Sequence, residues 1–354
     1  MNDSQAQRWQ DIPASSRQVA LELIRFGPHS RSELASRVGL SPASLSRVTA
    51  PLLDAGLIHE LDSVSLPGLG RPIIPLAICD DAILVIGISI TATEVTGILT
   101  GPQPEVLAAE VRPLKSHRVS ATLDEIDALV STLKETARKL YPETDIAAVG
   151  VCFGGHVTEA GWVTHAPFLN WKEVPLHDLL KERLGYPTTI DNDLIAFAEA
   201  ELWFGVGQQV DRFFVMTVGA GTGYALSING EVVRDESVGY GTITGRLLED
   251  WPDFSKPEQI EDVGAAARRL GRLVGTAAAF SLPESVVISG EGAYIFEGQE
   301  DYLTAGVAEV RHPLASGLDI HLRDHDFAFW ARGAATTALN HVVNPDNESQ
   351  QLMV

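Results

Sequence analysis

Apolar positions between residues 16 and 61 recur at helical spacing in three short bursts. Val19, Leu23 and Phe26 predict a helix over residues 16–26, and Leu34, Ala35 and Val38 predict a second. Leu45, Val48 and Leu52 predict a third, with its apolar stripe turned inward. Gly39 stands between the second and third, where a residue free to take positive φ allows a tight turn. Ser41 suits the N-cap of the third helix, and Pro42 suits its first position, where no amide hydrogen is needed. Pro51 opposes this helix, since it removes the donor to the Arg47 carbonyl and costs about 3 kcal/mol unless the helix bends. Residues 58–61 and 73–78 then read as two strands, with Arg71 in the tip between them. The pattern is that of a helix-turn-helix with a wing. Ala43, Ser44, Ser46 and Arg47, with Ser41, lie where small polar groups and an arginine can enter a major groove. Arg71 can reach the adjacent minor groove.

Beyond a short acidic junction at Cys79, Asp80 and Asp81, strand and helix patterns alternate. A hairpin is predicted over residues 82–100, with a further strand at 106–113. Leu123, Ile126, Leu129, Val130 and Leu133 predict a helix over 122–140. A strongly apolar strand over 146–153 runs into Gly154 and Gly155. Helices follow at 176–184 and 194–204, with a short strand at 187–190 between them. Strands at 212–218 and 224–228 flank a glycine-rich turn. A helix at 264–280, a strand at 286–289 and a helix at 327–343 complete the pattern. Alternation of this kind implies α/β layers. A hairpin comes first near residue 82 and again near residue 212, which suggests two related halves with a cleft between them. Residues 1–12 are polar and predict no element.

The net charge of -21 changes this picture only through its distribution. Residues 1–77 hold seven arginines against seven acidic residues, so all of the net negative charge lies beyond them. An acidic body repels nucleic acid and restricts DNA contact to the N-terminal segment. At 354 residues the chain has room for two or three domains. No apolar run is long enough to span a bilayer and the N-terminus is not signal-like, so a cytoplasmic protein with no membrane partner is expected. Two cysteines, Cys79 and Cys152, cannot form a metal cluster by themselves.

Further motifs carry a resemblance. Pro167, Phe168, Leu169, Asn170 and Trp171 form one; Asp191, Asn192 and Asp193, leading into Glu199 to Gly205, form another; Val218 to Gly223 form a third. Together with the N-terminal pattern they resemble the ROK family, which groups sugar-responsive repressors with sugar kinases. The resemblance implies a winged helix-turn-helix followed by a two-lobed, actin/sugar-kinase-like (ribonuclease H-like) α/β body. It implies domains at 1–79, 80–192 (closed by a C-terminal helix at about 327–343) and 193–326. It implies that Asn170, Asn192 and Asp193 contact sugar hydroxyls, with Gly154 and Gly155 letting the backbone approach. In the family's kinases the aspartate matching Asp193 is the base. Gly219, Gly221, Thr222 and Gly223 match a turn that cradles nucleotide phosphates. Read from residue types alone, Asp191, Asn192 and Asp193 equally suit a strand end and helix cap. The glycines equally suit a hairpin connection, and Trp171 and Trp203 a core.

The departures decide the function expected. Kinases of the family carry a turn resembling Asp-x-Gly-Gly-Thr-Lys, where this chain has Ser89, Ile90, Thr91, Ala92 and Thr93. Without the carboxylate there is no evident magnesium ligand, and without the glycines no closely packed amides for a phosphate. Residues 237–249 hold no His or Cys where the family carries sugar-contacting Glu and His followed by a zinc site. His156 and His165 are candidates to take over polar contacts. The expectation is a transcriptional regulator, a repressor of carbohydrate genes, with no catalytic residue, metal or cofactor. Its partners would be double-stranded operator DNA, a sugar or sugar-derivative effector and its own copies in a homodimer or homotetramer. Two alternatives stand beside it: an active ATP-dependent sugar kinase, and a regulator whose body only oligomerises.

Overall fold

The computed structural model describes residues 5–63, 73–158, 160–219, 221–235, 251, 253–323 and 327–345. Its N-terminal unit, here the head, has helices α1 (Gln5–Gln10), α2 (Ala14–Phe26), α3 (Arg31–Arg37) and α4 (Pro42–Asp54). Three short strands, β1 (His29–Ser30), β2 (Ile58–Glu60) and β3 (Pro75–Ile78), form an antiparallel sheet in the order β1-β3-β2. Ser30 caps α3 through a reciprocal pair of bonds with Glu33, at 3.2 Å and 2.8 Å. Ser41 caps α4 by accepting from the Ser44 amide at 3.2 Å. Pro51 falls in the last turn of α4, and the helix runs through it to Asp54. This is the element order of a winged helix-turn-helix. The wing tip, with Arg71, lies outside the described residues.

Residues 5–12 depart from expectation. They were expected to lack structure, yet α1 forms and Trp9 is completely buried. Its indole donates to the Ala82 carbonyl at 3.0 Å, which fastens α1 to the start of the body. Trp9 and Ile12 are too few apolar residues to give a periodic signal.

The body contains two five-stranded sheets. The first joins β4 (Leu84–Ile90), β5 (Glu94–Thr100), β6 (Val106–Pro113), β7 (Ile146–Phe153) and β11 (Thr188–Asn192) in the order β11-β7-β4-β5-β6. The second joins β12 (Arg212–Val218), β13 (Thr222–Ile228), β14 (Glu231–Val232), β15 (Ser285–Ser289) and β16 (Asp319–Leu322) in the order β14-β13-β12-β15-β16. In each, a hairpin strand pair and a third antiparallel strand lie on one side, and two parallel strands on the other. The repeated hairpin pattern in the sequence therefore corresponds to a repeated sheet topology. A small antiparallel sheet, β8 (His156–Val157), β9 (Val163–Ala166) and β10 (Trp171–Val174), was not anticipated.

Helices α5 (Val119–Leu140) and α6 (Leu176–Leu184) cover one face of the first sheet with Leu123, Ile126, Leu129 and Leu180. Helices α8 (Val263–Ser281) and α9 (Glu300–Val310) cover the second sheet. Between the sheets run α7 (Asp193–Phe204) and α10 (Phe327–Val343), which pack on each other. One apolar cluster holds both helices and the head: it includes Leu23, Leu34, Leu45, Leu57, Ala198, Trp203, Trp330 and Leu339. Among the described residues no helix is long and apolar enough to cross a membrane.

Helix α10 approaches the first sheet closely at Gly87 and Gly150. A Cβ at Gly87 would collide with the Ala331 carbonyl and lie 2.6 Å from the Ala335 amide nitrogen, and one at Gly150 would collide with the Ala334 carbonyl. Backbone cannot yield as a flexible side chain can. Gly87→Ala is therefore expected to destabilise the protein by about 1–3 kcal/mol, read as a lower urea midpoint at an unchanged slope. An unchanged midpoint would mean that the helix does not approach so closely.

Candidate functional site

The candidate site forms where β11 hands over to α7. Asn192 ends the strand in extended conformation and caps the helix, its Oδ1 accepting from the Leu194 amide at 2.9 Å. Its Nδ2 donates to the Gly155 carbonyl at 2.8 Å. Asn192 thus fills the capping role that its residue type allowed, and it also ties the β7–β8 connection to the helix. Asp193 follows at the first helical position, where the partial positive charge of the helix end favours an anion. Its Oδ1 accepts from the Leu194 amide at 2.9 Å. Although the residue keeps some exposure, burial pushes its carboxyl up to about 6, against a smaller lowering by the Leu194 amide.

The remaining candidates divide. Gly154 faces the site: a Cβ there would sit 3.3 Å from Asp193 Oδ2 and 3.4 Å from the Phe168 ring. Gly155 is needed for packing, since a Cβ would sit 2.8 Å from the His165 carbonyl. Asn170 is exposed, with φ of 54°, and follows the single turn Pro167–Leu169. Gly219 and Gly221 form the β12–β13 connection, with the Gly219 amide donating to the Gly221 carbonyl at 3.0 Å. Thr222 is buried at the start of β13. Gly223 is required by packing, because a Cβ would meet the Leu194 side chain of α7 at 2.6 Å. Trp171 and Trp203 are buried, as core residues are. His156 is buried and bonds Thr164. Residues 237–249 lie outside the described residues; among the described residues no group of three His, Cys, Asp or Glu side chains is arranged to hold a metal.

The turn after β4 is closed on itself. Thr91 Oγ1 accepts from the Thr93 and Glu94 amides at 3.3 Å and 3.2 Å and donates to the Glu94 carbonyl at 3.2 Å. The amides of Thr93 and Glu94 are thus engaged by the turn's own side chain. Ser89 is buried.

The sequence signalled no role for the charged groups along α7. Glu199 and Glu201 are buried on it. Arg234 pairs with Glu199 at 3.0 Å and also with Asp191. Arg323 pairs with Glu201 at 3.0 Å. Burial pushes the Glu199 carboxyl up, and Arg234 opposes that shift. At the far end of α7, the Leu202 carbonyl accepts from Arg25 of the head at 3.2 Å, and the Arg25 guanidinium lies 5.8 Å from the Trp203 ring centroid. Gln208 donates to the carbonyls of Trp203 and Arg25. On the head, Ser41 and Ser46 bond within their own helix, Ser46 to the Pro42 carbonyl at 3.1 Å. Ala43 and Arg47 are exposed, and Arg47 has no partner among the described residues.

Residues 85–243 match the ROK family. The chain thus carries a ROK family domain. It is 24% identical over 238 residues to the xylose repressor of Bacillus subtilis, an alignment covering 67% of this chain and 60% of that protein. The chain spans less than two thirds of the length of the curated relatives it matches. The crystal structure of a ROK family transcriptional regulator homologous to the E. coli MLC protein superposes with a TM-score of 0.69 at 21% identity, covering 93% of this chain and 98% of that one. A ROK family glucokinase from Streptomyces griseus, in complex with glucose and AMPPNP, superposes with a TM-score of 0.58 at 19% identity, covering 72% and 99%. The fold is therefore the ROK fold, with the sugar-kinase-like α/β body expected from the sequence.

The raised Asp193 carboxyl has a signed consequence. The folded protein holds this proton where the unfolded chain has released it, so stability falls as pH rises from about 4 to about 6. Asp193→Asn should remove that slope and be more stable than the parent by about 1–3 kcal/mol at pH 7, allowing for partial exposure, with the difference vanishing near pH 4. Denaturant unfolding across this range checks it. Parallel profiles for the two proteins would show that the carboxyl ionises normally.

Proposed function

We propose that the protein is a sugar-responsive, DNA-binding transcriptional regulator of the repressor type, with a body that binds a sugar and transfers no phosphoryl group. One observation carries this reading: a helix-turn-helix head is fastened to a kinase-like body whose turn after β4 is occupied by Thr91. A phosphate arriving there would find no free amides at Thr93 and Glu94, and Ser89 in place of a metal-holding carboxylate. Glu291 Oε2 would lie 3.4 Å from a Cβ at Gly219, so a carboxylate also stands beside the second glycine-rich turn. Like charge there disfavours a nucleotide phosphate. The repressor names of curated relatives support the regulatory reading.

In this reading the division falls near Cys79, between head and body, and near Asn192 and Asp193, between two lobes. The head contacts the major groove with Ala43, Ser44 and Arg47 and the minor groove with Arg71. Two heads of a symmetric oligomer would read half-sites about one helical turn, ~10.5 bp, apart or a multiple of it. Asp193, Asn170 and the backbone at Gly154 hold the sugar. The signal travels along α7, which starts at Asp193 and ends against Arg25. A helix buried on all sides moves as a unit, because each shift must repack both of its ends. Coupling of this type is typically worth about 1–3 kcal/mol.

Operator binding followed by fluorescence anisotropy tests the head. Arg47→Ala and Arg71→Ala should each weaken binding at least several-fold and leave the melting temperature unchanged; unaltered affinity in both variants would refute the assignment. For the body, D-xylose, D-glucose and D-glucosamine should be titrated against the operator complex. Asp193→Ala should bind operator as the parent does and lose the response to whichever sugar acts. A coupled assay with ATP, magnesium and these sugars should show no turnover. Turnover abolished by Asp193→Asn would establish the kinase alternative. An operator complex indifferent to every sugar would favour a body that only oligomerises.

A further inference from the structure

We propose that Phe168 is a stacking platform that selects a ring-form sugar at Asp193; this rests on the sugar-responsive reading above. Phe168 is 56% exposed, in a segment that also buries two large apolar side chains. Leu169 and Trp171, on either side of Asn170, are 1% and 3% exposed. The Trp171 indole donates to the His117 carbonyl at 2.7 Å, and its ring meets Phe153 edge-on at 6.0 Å between centroids. The loop is therefore anchored from within. Asn170 holds the left-handed conformation that turns the chain between the Pro167–Leu169 turn and β10. A loop fixed in this way presents the Phe168 ring outward in a defined place, with more than half of the residue open to solvent.

Its place is the candidate site. One point, the position a Cβ would take at Gly154, lies 3.3 Å from Asp193 Oδ2 and 3.4 Å from the Phe168 ring. Because residue 154 is glycine, that point is unoccupied by its side chain, and ring and carboxyl flank the same small space. An aromatic face and a single acid are complementary to a pyranose. The sugar carries its C–H groups on one face, and these lie against an aromatic ring. Its hydroxyls project from the edge, where a carboxylate accepts a charge-assisted hydrogen bond. An alditol has the same hydroxyls and no fixed face, so it cannot satisfy both groups without freezing several torsions.

Isothermal titration of D-xylose, D-glucose and D-glucosamine, with xylitol and sorbitol as the open-chain comparisons, tests this on the full-length protein. The parent should bind a sugar at least tenfold more tightly than its alditol. Phe168→Ala should weaken that sugar about tenfold while melting temperature and operator affinity stay at parental values. Phe168→Trp should restore the affinity. Sugar affinity unchanged in Phe168→Ala, or alditol binding equal to that of the sugar, would overturn the platform and leave the sugar-responsive reading intact. If no sugar binds the parent, that reading fails and the platform fails with it. If Phe168→Ala melts early, the ring supports the loop itself, and the platform fails unless Phe168→Trp, folded as the parent is, still separates sugar from alditol.

Discussion

A helix with every side buried must satisfy all of its polar groups inside the protein, and α7 is such a helix. Residues 194–203 are buried throughout. The orphan amide near its start is met by Asn192 and Asp193. Its two interior carboxylates are met by Arg234, just after β14, and Arg323, just after β16. An unpaired buried charge would cost several kcal/mol, so these pairs fix how the second sheet and the helix meet. The same arginine that holds Glu199 also holds Asp191 at the end of β11, so one guanidinium joins the first sheet, the helix and the end of β14. The position of Asp193, and with it the candidate site, follows from that arrangement.

The turn after β4 keeps the hairpin of the fold while binding its own amides. Glycine-rich phosphate loops present amides that have no partner of their own. Thr91 supplies that partner internally, and the buried Ser89 supplies no carboxylate. The strand pairing around the turn is unaffected: Ser89 still faces Thr96 across the hairpin. The body therefore keeps its sheet and its Asp193 around a turn that is closed by its own side chain.

Much of the fold was legible because its signals are local. The capping residues Ser41 and Asn192, the apolar stripe of α5 and the fully apolar β7 each announce an element in a few neighbouring residues. The repeated hairpin start was also visible, since strand order follows from it. What escaped notice depends on distant partners. Trp9 gives no period, and its burial depends on Ala82. The short strands β1, β14 and β16 exist through pairing, and α9 has only Leu303 and Val307 as clearly buried apolar positions. At the site, Asn192 and Asp193 could be named because a motif marks them, and Gly154 because it ends a strongly apolar strand. Their separate tasks could not be, because capping, ligand contact and close packing all select the same small or polar residue types. Arg234 and Arg323 lie far from α7 in sequence and carry no motif, so the pairs that hold Glu199 and Glu201 could be found only in three dimensions.

The burial of Trp9 against Ala82 makes the head a poor candidate for transplantation. A fragment ending at the apparent junction would carry the Trp9 indole onto a new surface without its partner at Ala82. Such a fragment would be sticky and prone to self-association. A chimaera that exchanges operator preference between relatives would have to move α1 with its receiving patch at Ala82 and Ile83, or regraft only the exposed turn of α4. In the reading proposed above, changes in DNA preference at the exposed positions of α4, such as Ala43 and Arg47, meet no such obstacle.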